Sequence, residues 1–287
     1  MSNRRAIQYL FTKFAYLAIM ATIIALSLSL TARGLSSAII SSSVYVLVLS
    51  IGTLLSNYNP YYLAWKTPRG DTITDCLHLL VSTSVASAIF HLLAIESRIL
   101  EEHLAIPFWP NHWPWYIQLP LLAALAEFGG YWAHRVMHAN TWLNRFHSVH
   151  HSAKRLYPLN ATRNHPIDLL ITLTCALTPL ILLGVSNENL TLVSSFLVAH
   201  LVLQHSNTEL SIGAFDRVLN MCQLHKWHHV PDVEKQKANY GNVLLIWDHV
   251  FGTYQNFDKK QEVVLGTRVA ISPHYFPQLL EPFRKRK

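Results

Sequence analysis

Long apolar runs broken by short polar stretches set the pattern of this chain. Phe14 to Leu30, Ala38 to Leu55 and Cys76 to Ile95 match the roughly 17 to 25 residues that a helix needs to cross a bilayer. A fourth run begins near Tyr116, passes through Leu119, Leu121, Leu122 and Leu125 towards Gly130, and carries its helical pattern on from Tyr131 to His138. These four are expected to be membrane spans. A later pair, Ile167 to Val185 and Leu190 to Leu203, is joined only by Ser186 to Asn189. Pro179 interrupts its first member and the second is short, which leaves two alternatives: a hairpin that enters the membrane without crossing it, or two full crossings. In both, the chain returns to the side it left. With no repeat, Gly/Ser linker or low-complexity tract, the pattern predicts one all-α unit, a multi-pass membrane helix bundle.

Composition strengthens the membrane reading. Of 287 residues, 51% are hydrophobic and only 14% charged, against about 25% charged in a soluble domain. With the amino terminus in the cytoplasm, every Lys and Arg except Arg33 and Arg98 falls in a cytoplasmic segment, as the positive-inside rule requires. The first run, with Arg4 and Arg5 before it, also has the form of a signal peptide. No clear Ala-x-Ala cleavage site follows, however, and its removal would leave later loops on the same sides. Phe108, Trp109, Trp113, Trp115 and Tyr116 form the aromatic belt expected at the opposite bilayer surface. The expected location is the bacterial inner membrane or, in a eukaryote, the endoplasmic reticulum. The basic tail Arg284 to Lys287 reads as a solvated face with a modest attraction to anionic headgroups. No nucleic-acid partner is expected.

Chemistry enters through histidine, present 17 times. Cys76, Cys175 and Cys222 are odd in number and far apart, which excludes a disulfide framework and a thiolate metal site. His134 and His138 are four apart, about one helical turn, so both rings leave one face. His147, His150 and His151 form one triplet and His225, His228 and His229 another, each at i, i+3 and i+4, which predicts three rings on one helix face. His205 lies between the triplets, just past the last apolar run. All nine fall on the cytoplasmic side, and nine nitrogens are too many for one metal and suit two. His78 and His91 read instead as packed residues bonding neighbouring helices, and His103, His112 and His274 as surface residues.

Imidazole alone does not choose among iron, zinc, copper and nickel. The ligand count exceeds that of a four-coordinate structural zinc site, which favours two Fe ions with O2, Zn remaining a possible substitute. A metal transporter or sensor is the competing class, but it needs polar ligands at mid-membrane on several helices, whereas these clusters sit past the span ends. Without a nucleotide-binding Gly motif or a haem motif, electrons would come from a separate reductase or carrier protein.

The order His134-Arg-Val-Met-His138, His147-Ser-Val-His150-His151 and His225-Lys-Trp-His228-His229 resembles the fatty acid hydroxylase superfamily, which includes sterol desaturases, sterol methyl oxidases and alkylglycerol monooxygenase. Asn164-His165-Pro166, Gln204-His205-Ser206-Asn207, Asn239-Tyr240-Gly241 and Trp247-Asp248-His249-Val250-Phe251-Gly252-Thr253 resemble its sterol-desaturase-like branch. The likeness covers roughly Leu119 to Phe257. Taken with the apolar runs, it divides the chain into N-terminal transmembrane helices over residues 1–115, a fatty acid hydroxylase-like catalytic region over 116–257 and a basic tail over 258–287. It also implies a non-haem diiron centre on the cytosolic face beneath a helical cap formed by Asn140 to Pro166 and His205 to Phe257. His134, His138, His147, His150, His151, His205, His225, His228 and His229 become the implied ligands. His165 is a further ligand or a residue that orients one, Asp248 an acceptor for a ligating ring, and His200, Asn207 or Glu209 the candidate to complete the shell. The implied reaction is hydroxylation of a fatty acyl, sterol or related lipid, with desaturation as its variant.

Overall fold

The computed structural model describes residues 3–103 and 108–284, in which helices form and no β-strand does. The side chain of His103 and residues Lys285 to Lys287 of the basic tail lie outside the described residues. Three long helices come first: α1 (Asn3–Ala32), α2 (Ser37–Tyr58) and α3 (Thr72–His103). The chain then forms α4 (Trp115–Ala139), α5 (Leu143–His151), α6 (Pro166–Leu182), α7 (Asn187–His205) and α8 (Cys222–His228). Short helices α9 (Val233–Gln236), α10 (Ile246–Val250) and α11 (Tyr275–Leu280) complete the order.

Local chemistry sets the ends. Ser36 caps α2 by accepting from the Ile39 amide, and Ser186 caps α7 by accepting from Asn189, as small hydroxyl residues do at helix starts. Gly184, at φ +75°, turns the chain between α6 and α7.

Among the described residues, three helical segments are long and apolar enough to cross a membrane: Phe14–Ala32, Ser37–Tyr58 and Thr72–Leu92. Their outward faces expose Phe14, Leu17, Val46, Leu54, Leu80 and Leu92, a surface suited to lipid rather than water. The fourth expected span, α4, is less apolar than these three. At 25 residues α4 is long enough, but Gln118, Glu127 and Arg135 dilute its apolar character and it does not meet the same measure. One face, with Leu122, Ala123, Ala126 and Glu127, is buried against protein, while Ile117, Leu121, Phe128, Trp132 and Val136 are exposed on the other.

α4 packs against α6, and α7 against α1, α2 and α4. A Cβ at Gly129 would stand 1.9 Å from the Cys175 carbonyl oxygen, so α4 and α6 touch backbone to backbone, a closeness only a residue without a side chain permits. Leu122, Ala126, Leu180 and Val193 form one core, and Ile23, Val44, Val48 and Val202 another.

Above these helices the cap is fastened by charges. Asp71 accepts two bonds from Arg155, at 2.7 and 2.9 Å, and Asp75 accepts from Arg163 Nε at 2.5 Å, all four side chains being buried. His78 bonds the Asn164 carbonyl and Gln278, which makes it the packed residue expected, and His112 and His274 are exposed as expected, but His91 is exposed too, which corrects its reading as packed. The segment after residue 257 packs on this layer too. Lys226 Nζ donates to the Lys259 and Gln261 carbonyls, and Thr74 to that of Pro273.

Candidate metal centre

The ends of four helices deliver the nine histidines of the sequence motifs to one place. His134 and His138 come from the last turns of α4, His147, His150 and His151 from α5, His205 from the end of α7, and His225 and His228 from α8, with His229 just after it. They divide into two groups: His134, His138, His147, His151 and His228 in one, His150, His205, His225 and His229 in the other. Within each group one ring nitrogen per residue lies within 4.8 Å of every other. Neighbouring rings connect the groups, His151 stacking on His229 at 4.6 Å and His150 lying 5.7 Å from His151.

Each triplet thus divides its rings between the two groups. Pairs at i, i+4 stay together (His134 with His138, His147 with His151, His225 with His229), but the i+3 member, His150 or His228, joins the other group. Three residues advance a helix by about 300°, not 360°. That offset is enough to turn the ring from one group to its neighbour.

Hydrogen bonds fix which nitrogen faces inward. Nδ1 of His134 lies 2.6 Å from the Tyr240 carbonyl oxygen, that of His228 3.1 Å from Ala238, that of His150 3.2 Å from Arg163 and that of His205 2.9 Å from Leu201. His147 Nδ1 meets the Asp168 carboxylate at 3.1 Å. Carbonyl and carboxylate oxygens only accept, so these five Nδ1 atoms donate and each Nε2 presents a lone pair. The Nε2 atoms of His134 and His228 then approach to 2.8 Å with no proton to share. Such a contact repels unless a cation draws both, and two nitrogens bound at right angles to one metal at about 2.0 to 2.1 Å would stand roughly 2.9 Å apart. Similar Nε2 spacings of 2.9 Å for His147 and His151 and 2.8 Å for His225 and His229 repeat the pattern. His138 Nε2 is buried without a hydrogen-bond partner. Burial, and then the neighbouring rings, hold His150, His151, His225, His228 and His229 well below the usual histidine pKa. These imidazoles are therefore neutral at neutral pH and keep their lone pairs for a metal. The donor set fits two metal ions.

The remaining sequence candidates stand outside both groups. His165 caps α6, its Nδ1 accepting from the Ile167 amide, while its Nε2 faces the Leu279 carbonyl. His200 is held between the Tyr16 hydroxyl and the Asn220 carbonyl. Asn207 bonds both backbone groups of Tyr62, and Glu209 is exposed. Asp248 does not reach a ring, because both its oxygens are taken by the Tyr240 and Gly241 amides and the Thr253 hydroxyl. It acts through the backbone, holding the loop whose Tyr240 carbonyl bonds His134. A Cβ at Gly241 would stand 2.2 Å from the Leu244 carbonyl oxygen, so that loop closes only around glycine.

Asp168 is the residue that sequence reasoning missed. In the first turn of α6 an acid reads as ordinary dipole compensation, yet this one is buried and orients His147. Its signal was a carboxylate heading an otherwise apolar run, three residues after a histidine. Glu127, inside α4, was missed as well and accepts from the Val243 and Leu244 amides of the same loop. Asp168→Ala is expected to weaken metal binding by roughly 10- to 100-fold, the usual cost of losing a partner of a ligating histidine. A chelator titration of the purified variant measures this, and retention equal to that of the wild type would remove Asp168 from the site.

Fold and site together define a class: a helical bundle with membrane-length helices that closes over two adjoining histidine groups with the geometry to hold a metal pair. The sequence profile of the family described as fatty acid hydroxylase matches residues 119–253. The chain is 31% identical to ornithine lipid hydroxylase OlsE of Rhizobium tropici over 251 residues, 85% of this chain and 75% of that one. It is 27% identical to alkylglycerol monooxygenase of Homo sapiens over 158 residues, 55% of this chain but 34% of the other. It is also 27% identical to a Delta(7)-sterol 5(6)-desaturase of Gibberella zeae over 149 residues, 51% of this chain and 40% of the other. No solved structure matches. The chain belongs to the fatty acid hydroxylase family, and is by that membership a membrane oxidoreductase.

Proposed function

We propose that this protein is a multi-pass membrane oxygenase that holds two iron ions and uses them with O2 to hydroxylate a lipid. His134, His138, His147, His151 and His228 would hold one ion, and His150, His205, His225 and His229 the other. The observation that carries the reading is the convergence of nine imidazoles as two adjoining groups, five of them with Nδ1 tied to an acceptor so that Nε2 faces inward. When bound, the iron pair supplies the activation of O2 needed to attack an unactivated C–H bond. The chain's own residues do the rest: Asp168 and the carbonyls of Tyr240, Arg163, Ala238 and Leu201 orient the rings, and burial beneath the cap keeps bulk water away. The chain carries no nucleotide or haem motif, so electrons come from a separate donor protein.

The distribution of Lys and Arg supports a cytoplasmic site, and a carboxyl-terminal tag reachable only from inside the cell is the expected result. Because α4 runs directly into the centre, lipid is expected to reach the site from the bilayer side rather than from the cytosol. Likeness over 85% of the chain to an ornithine lipid hydroxylase supports an amino-acid-linked lipid as the first substrate to try. Likeness to a sterol desaturase supports desaturation as the second reading.

Purified protein is expected to hold about two iron ions per chain in place of zinc, and cells carrying the gene to contain lipids one oxygen heavier than cells without it. Lipids two hydrogens lighter would select desaturation. An iron-loaded protein that changes no lipid in cells or in vitro would sink the proposal.

A further inference from the structure

A cavity of about 50 Å³ lies beside the metal centre, lined in part by Arg69, Asp71, Ser152, Lys154, Arg163 and Gln278. One water molecule needs roughly 10 to 15 Å³ by this measure, so the cavity takes a group the size of a carboxylate or phosphate and not the body of a lipid. One covalent neighbour and one hydrogen bond tie it to the centre. Ser152 follows His151 directly, and the Arg163 carbonyl is the acceptor that holds His150 Nδ1.

The wall has one unsatisfied donor. Arg163 is only 3% exposed. Its Nε donates to Asp75 and its Nη1 to Ser152 Oγ, while Nη2 is buried with no partner. The other interior groups are already engaged: the Ser152 hydroxyl donates to the Val149 carbonyl, Gln278 bonds His78 and the Ser272 carbonyl, and Asp71 takes Arg155. At the rim, Arg69 and Lys154 are exposed and form no ion pair among the described residues. A buried guanidinium nitrogen without an acceptor is costly, and a planar guanidinium suits an oxyanion.

We infer that this cavity binds an oxyanion, the carboxylate or phosphate of the substrate's headgroup, with Arg163 Nη2 as the inner donor and Arg69 and Lys154 closing over it from the rim. The identity of the occupant rests on the proposed lipid oxidation; the anion site itself does not. Holding the headgroup beside α5 sets how far along the lipid the metals reach, and so which atom is oxidised.

The test titrates full-length, metal-loaded protein in detergent with a long-chain N-acyl glycine, with its methyl ester, and with inorganic phosphate as competitor. The acid is expected to bind at least roughly tenfold more tightly than the uncharged ester, the worth of one charge-assisted hydrogen bond. Arg69→Gln with Lys154→Gln should erase that preference without disturbing the core. Arg163→Lys, which keeps a cation for Asp75 but removes Nη2, should also erase it. Lys260→Gln, an exposed cation outside the lining, should bind as wild type does. Equal binding of acid and ester, or a rim double variant that still prefers the acid, overturns the inference. Displacement of the acid by phosphate at matching affinity assigns the site to free anions and overturns the headgroup assignment. Iron content and lipid oxidation are read on the same samples. A protein that oxidises lipid but does not distinguish acid from ester sinks the anion site alone, and one that selects the acid yet holds no iron sinks the oxygenase reading alone.

Discussion

His150→Ala and His229→Ala are each expected to abolish lipid oxidation while leaving the protein folded in the membrane. Both rings belong to the group that also contains His205 and His225, and each substitution takes one nitrogen from a set of four. The loss should exceed the roughly 10- to 100-fold cost of removing a residue that only orients a ligand, and metal content should fall with activity. The helices survive because their association rests on close packing, such as that of Gly129 on Cys175, rather than on the metals. Two other histidines serve as contrasts. His112→Ala, at an exposed ring, should change neither quantity. His78→Ala should cost about 1 to 3 kcal/mol of stability, because it strips partners from Gln278 and the Asn164 carbonyl, while metal per folded molecule stays constant. Metal analysis and activity assays on the four variants decide the matter: full metal content and activity in His150→Ala would show that the groups are drawn wrongly.

Asp75→Ala is expected to produce the largest loss of stability, about 3 to 5 kcal/mol, the range for removing one partner of a buried ion pair. It takes the acceptor from Arg163 Nε and from the Tyr157 hydroxyl, and leaves the Arg163 guanidinium buried beside nothing negative. Glu234→Ala should shift stability by less than about 1 kcal/mol, since the Lys237–Glu234 pair is exposed and screened. Thermal unfolding in detergent compares the two, and equal midpoints would mean that the buried pair does not fasten the cap. Metal content should fall together with stability in Asp75→Ala, because the Arg163 backbone also holds His150.

Much of this fold was legible because the membrane makes its demand on composition. α1, α2 and α3 turn large apolar side chains outward, so unbroken runs gave them away without any need for periodicity. α7 was harder to judge. It is enclosed almost all round, from Asn189 to Ser195 and again from Val202 to His205, and a helix that packs on every side loses the amphipathic pattern that marks a surface helix. α4 was harder to read than α1, α2 and α3, because Gln118, Glu127 and Arg135 interrupt its apolar run and apolar residues facing protein look the same, in one dimension, as apolar residues facing lipid.

The histidines were legible for a different reason. Spacings of three and four carry geometry even when the fold is unknown, and that geometry was sound for His147 with His151 and for His225 with His229. It did not reveal that His150 and His228 point elsewhere, since a single helical face cannot show what lies beyond its edge. The groups that hold the rings in place were mostly invisible. Four of the five acceptors at Nδ1 are backbone carbonyls, which every residue has, and the fifth, Asp168, looked like a common helix-start acid. Asp248 could be found by its motif but not its role, because it works on amides at Tyr240 and Gly241 that only the folded loop brings together.

Because α5 and α8 each contribute rings to both groups, the separation of the two ions would follow from side chains fixed around one rigid helix rather than from the placement of separate helices. Bundles breathe as the bilayer around them thickens or thins, and helices such as α4 and α7 can slide or tilt by small amounts against their neighbours. Movement of that kind would bend angles at the outermost ligands, His134, His138 and His205, while leaving the gauge between the metals unchanged. A reaction that needs both ions at a fixed span would then be insulated from the mechanical noise of the membrane in which its substrate is dissolved.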